Sequence, residues 1–96
     1  MDLRKLDKIK LDIDSFRNRG GVKSSELESL AKRLGRDRND RGKEPTWVNR
    51  QFPYLRPLSI PHHGSIDLNK FTARGILDQL EEDIKKWEEV LVSNND

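Results

Sequence analysis

The chain has 96 residues and a formal net charge of +2, with 38% charged side chains, 32% hydrophobic ones and no cysteine. That length fits one domain with a modest core, and the lack of cysteine excludes disulfides, thiolate chemistry and the usual ligand set of a zinc site. No apolar run approaches the roughly 20 residues of a membrane span and no signal-peptide core is present, so the expectation is a cytoplasmic protein without a membrane partner, metal or cofactor.

In chain order, residues 2–18 are predicted to form a helix, because Leu6, Ile9, Ile13 and Phe16 are spaced to share one face. Asp2 suits the positive end of its dipole, and Gly20-Gly21 breaks it. A second helix is expected from Ser24 or Ser25, with Ser25 and Glu28 in the spacing of a capping box. Leu27, Leu30, Ala31 and Leu34 face inward, and Gly35 ends the helix. Residues 36–61 form the β part. Arg36 to Gly42 reads as an edge strand or an open loop, while Thr46-Trp47-Val48 and Leu55 to Ile60 read as strands limited by Pro53 and Pro57. From about Thr72 a long helix follows, with Leu77, Leu80, Ile84, Trp87 and Leu91 as its apolar stripe. At about 20 residues it would be roughly 30 Å long, enough to reach the amino-terminal helix or a second copy of the chain with Trp87 and Leu91.

Charge is unevenly placed along the chain. Residues 1–66 carry 15 Lys/Arg against 9 Asp/Glu, whereas residues 67–96 carry 4 against 8. The stretch from Lys32 to Arg56 is the most basic, with eight bases and three acids. A one-sided positive field of this kind attracts a phosphate backbone; an ordinary solvated surface is the alternative. Arg36, Arg38 and Arg41 are candidate phosphate contacts, with pairing to Asp37 and Asp40 as the competing use. Trp47 either stacks on a base or packs in the core. The two histidines, His62 and His63, are neighbours ahead of the last helix and are the side chains best suited to proton exchange near neutral pH; the alternative is that they shape the turn at Gly64. Gly20-Gly21 lacks the lysine-serine signature of a phosphate loop.

Val22-Lys23-Ser24-Ser25-Glu26-Leu27 with Leu30, then Leu58-Ser59-Ile60-Pro61-His62-His63-Gly64, Asp67-Leu68-Asn69-Lys70 and Thr72-Ala73-Arg74-Gly75-Ile76-Leu77 occur in an order that resembles the HicA family of toxins from bacterial toxin–antitoxin pairs. The resemblance covers roughly residues 22–80. It implies an α+β fold of α-β-β-β-α order, like a double-stranded-RNA-binding domain, here with an extra amino-terminal helix (residues 1–21) before the HicA-like part (residues 22–96) and a long carboxy-terminal helix. It also implies RNA as substrate, metal-independent endoribonuclease activity and a cognate antitoxin. The family's histidine after a Gly-Ser pair on the second strand has no counterpart: the stretch reads Gly42-Lys43-Glu44-Pro45-Thr46-Trp47. His63 matches the histidine of the family's Pro-x-His-Gly segment and is the first candidate for acid or base. Glu44 is the candidate base, and Lys43 and Arg41 would bind the phosphate, with His62 beside them. A non-catalytic RNA-binding module and a domain that dimerises through its helical stripes are the alternatives.

Overall fold

The computed structural model describes residues 1–40, 45–62 and 66–93. Three helices and three strands follow one another as α1 (Leu3–Asn18), α2 (Ser24–Arg33), β1 (Arg36–Asn39), β2 (Thr46–Asn49), β3 (Leu58–Ser59) and α3 (Lys70–Ser93), an α+β arrangement. The strands form one antiparallel sheet in the order β1-β2-β3. Arg36 pairs with Asn49, Arg38 with Trp47, and Trp47 in turn with Leu58. These residues share one face, which lies under α2 and α3, and the period-2 alternation puts Asp37, Asn39, Thr46, Val48 and Ser59 on the open face.

The helices form for the reasons their patterns suggest, with three local differences. α1 is capped by Asp2, whose carboxylate accepts from the Lys5 N–H at 2.8 Å; this hydrogen bond is the main reason its pKa lies below the usual carboxylate value. In α2 the capping glutamate is Glu26 rather than Glu28: its Oε1 accepts from the Lys23 N–H at 3.0 Å. The expected cap, Ser25, falls inside the helix, and Ser24 is buried with its hydroxyl unpartnered. α3 starts earlier than Thr72 because the Asn69 carboxamide oxygen accepts from the Phe71 N–H at 2.8 Å. The strand expected over 55–60 shortens to Leu58–Ser59, bounded by Pro57 and Pro61, while the carboxamide oxygen of Asn49 turns the chain after β2 by accepting from Gln51 and Phe52.

A single core joins all layers. Leu6, Ile9 and Ile13 of α1, Leu27, Leu30 and Leu34 of and after α2, Trp47 and Leu58 of the sheet, and Leu77, Leu80 and Ile84 of α3 are each at most 4% exposed. Fully burying one such side chain contributes about 1.5–3 kcal/mol. α1 runs antiparallel to α3: Arg17 pairs with Asp78 and Glu81, and Lys10 with Glu88. The apolar stripes proposed for dimerisation are thus used within the chain, and the far end of α3 lies against α1, with Trp87 and Leu91 half-buried on the core. Among the described residues no helix is long and apolar enough to cross a membrane.

Candidate functional site

Of the eight residues singled out in the sequence, Arg41, Lys43, Glu44 and His63 lie outside the described residues. The other four divide into two groups.

Arg36 and Trp47 are interior residues, which corrects their expected role as RNA contacts. Arg36 and Arg38 do share a sheet face, but the Arg36 end of that face is roofed by α3. The Arg36 side chain is 1% exposed and forms a two-pronged pair with buried Asp83, Nε to Oδ2 at 2.7 Å and Nη2 to Oδ1 at 2.8 Å. Its Nη1 donates to the carbonyls of Trp47 and Arg56. Asn49 completes the cluster, donating to Asp83 Oδ2 and to the Leu34 carbonyl at 3.0 Å, and the Trp87 indole N–H donates to that same carbonyl at 2.8 Å. These bonds tie the end of α2, the Arg36–Asn49 end of the β1–β2 ladder and α3 into one satisfied polar network. Trp47 is 3% exposed, so its ring cannot stack on a base.

Arg38 and His62 are at the surface. Arg38 is half-exposed, with its Nε 2.7 Å from Asp40 Oδ1. His62 is 75% exposed, and its Nδ1 lies 3.8 Å from Oε1 of Glu28, too far for a hydrogen bond but close enough for attraction when the imidazole is protonated. Glu28 leads to a further cation on α2. Lys32, one turn further along α2 on the same face, holds its ammonium 5.7 Å from the centroid of the Trp47 ring, within cation–π range. In the sequence it is only the first residue of the basic stretch, four residues after Glu28.

Trp47 therefore organises this end of the sheet from inside. Arg38 stands opposite it across the β1–β2 ladder, Leu58 opposite it across the β2–β3 ladder, and Lys32 above its ring. Four residues after Leu58 the chain reaches His62. Lys32 of α2 and Arg38 of β1 thus meet at one buried indole, while His62 lies by Glu28, one turn before Lys32 on α2. Thr46 pairs with both Asn39 and Ser59, so the chain leaves β1, enters β2 and leaves β3 at this same end of the sheet.

A second basic feature lies between the helices. A cleft of about 580 Å³ is lined by Lys5, Lys8 and Ile9 of α1, Lys32 and Arg33 of α2, and Trp87 of α3. Among the described residues no acidic side chain lines it. Among the described residues no group of three or more His, Asp or Glu side chains is arranged to hold a metal ion. Comparisons with protein-family models, curated proteins and solved structures found no match to this chain.

Proposed function

We propose that the protein binds RNA, seating its phosphate backbone at the end of the sheet where Lys32 and Arg38 meet at Trp47. The juxtaposition of these two cations from separate elements carries the reading. Lys32 has no acidic partner among the described residues, and Arg38 is held only by an exposed pair with Asp40. An exposed ion pair contributes at most about 1 kcal/mol, so a phosphate replaces Asp40 at little cost. The arginine's planar fork then offers two donors to the phosphate oxygens.

Salt-dependent titration with single-stranded RNA tests this. Each lost phosphate contact lowers the slope of log affinity against log salt by about 0.7, so Lys32→Ala/Arg38→Ala should flatten it by about 1.4. Wild-type protein that leaves RNA unbound at low salt, or a double variant with an unchanged slope, would overturn the proposal.

Cleavage is the second reading, favoured by the placement of the strand ends. Asn39, Thr46 and Ser59 mark one common end of the sheet, and Glu44 and His63, which follow Asn39 and Ser59 in the sequence, lie outside the described residues. In this reading the protein is a HicA-like toxin. One of the two groups takes the proton of the RNA 2′-hydroxyl, whose oxygen attacks phosphorus, and the other protonates the departing 5′-oxygen, leaving a cyclic phosphate. RNA that stays intact while bound, with no change in His63→Ala, would exclude cleavage and leave binding.

A further inference from the structure

The cleft between α1 and α2 is electrostatically unlike the rest of α1. Towards its other end, each cation of α1 that meets the body of the protein has a carboxylate: Lys10 has Glu88, and Arg17 has Asp78 and Glu81. Arg19, just past the helix, has Glu26 at 2.5 Å. Lys5 and Lys8 have no such partner among the described residues, although they sit three apart on one helix face, where like charges repel. Asp7 is the nearest acid in sequence, but one and two residues away on the helix it does not face them. Asp2 caps the helix and feels the charge of Lys5 without forming an ion pair with it, and Asp12 is taken by Arg33 at 2.7 Å. The repulsion is also concentrated on a concave surface, because Lys32 lines the same cleft from the other helix and Ile9 and Trp87 give it apolar walls. A low-dielectric wall beside clustered cations focuses their field toward an anion.

Lys32 is the connection to the sheet end. It lines the cleft, and its ammonium stands over the Trp47 ring. We infer that the α1–α2 cleft is a second phosphate subsite of the RNA interface, continuing the track from Arg38 through Lys32 to Lys8 and Lys5. The inference rests on the RNA-binding reading and adds that α1, the helix preceding the HicA-like part, takes part in recognition. An exposed lysine with no partner is ordinary on a protein surface. Three of them lining one aromatic-walled cleft, contiguous with a separate cationic cluster, define a path.

The test compares four full-length proteins on one single-stranded RNA: wild type, Lys5→Ala/Lys8→Ala, Arg38→Ala, and the triple variant. Lys5 and Lys8 are exposed, so their replacement leaves the core untouched, and thermal melts check that each variant is folded. Lys5→Ala/Lys8→Ala is expected to lower the salt slope by about 1.4, Arg38→Ala by about 0.7, and the triple variant by the sum. RNA bound with a wild-type slope by Lys5→Ala/Lys8→Ala would overturn the second subsite while leaving the sheet-end site intact. No RNA binding by wild type would remove both. A change in sedimentation mass without a change in slope would assign the cleft to the acidic helix of a second copy, and that also overturns it.

Discussion

Removing the carboxylate of Asp83 would leave Arg36 charged, enclosed and without its two strongest acceptors. Both side chains are essentially inaccessible, at 1% and 0% exposure, so water cannot substitute. Breaking a buried ion pair from one side costs about 3–5 kcal/mol, and Asp83→Leu should destabilise the protein by that amount in urea unfolding. Replacing both partners, as in Arg36→Met/Asp83→Leu, removes the stranded charge and should recover much of the loss. It should not recover all of it, because the carbonyls of Trp47 and Arg56 lose their donor, at about 1–3 kcal/mol for a buried group. A double variant no more stable than Asp83→Leu would show that the pair is not the source of the cost. In the sequence Arg36 was indistinguishable from Arg38 because its partner lies 47 residues away. Alternation assigns both to one face, but only the path of α3 decides which part of that face is covered.

At the scale of elements, the junction of α2 and β1 turns on Gly35. It is the one described residue with a positive φ, +96°, and its N–H caps the helix by donating to the Lys32 carbonyl at 3.0 Å. A side chain there would take a left-handed conformation costing about 1–2 kcal/mol. Its Cβ would also lie 3.4 Å from Asn49 Oδ1 and 3.6 Å from the Trp87 ring, against the polar network itself. Gly35→Ala should therefore lower the melting temperature by several degrees, at about 4–8 °C per kcal/mol for a domain of this size; an unchanged melt would refute the strain. Helix ends of this kind were legible in the sequence because glycine, apolar spacing and length all act locally. The stripe of α3, from Leu77 to Leu91, needed no knowledge of the rest of the chain. The strands were less legible. β3 has two residues, too few for alternation to register, and its pairing with Trp47 is a long-range contact. The candidate site was read in part for the same reason: Arg38 and His62 were found as charged or protonatable motifs, whereas Lys32 matters only through the ring beneath it.

For the molecule as a whole, the question is how firmly α1 is held, since the inferred RNA track runs over it. Its apolar stripe supplies most of the attachment, and ion pairs at both sides add a pH-dependent part. Arg19 bridges to Glu26 at the entry to α2, and this hydrogen-bonded pair is the main reason the Glu26 carboxyl titrates below its ordinary value, against the opposing effect of partial burial. Arg17 stays charged throughout: partial burial disfavours the ion, but the hydrogen bonds it donates to Asp78 and Glu81 outweigh that effect and raise its pKa. A carboxyl whose folded pKa lies below its unfolded one binds fewer protons in the folded state. Its stabilising contribution is therefore complete above the unfolded value and is lost as pH falls through the folded value. The urea midpoint should accordingly be flat near neutrality and decline once pH drops below the ordinary glutamate range, with Glu26→Gln less stable than wild type at neutral pH and less steep in acid. The capping carboxylate of Asp2 acts with the same sign, so some decline should persist in that variant. If wild type and Glu26→Gln lose stability in parallel across the acid range, the Arg19–Glu26 pair carries none of this sensitivity, and α1 is held at that end by packing of its apolar stripe alone.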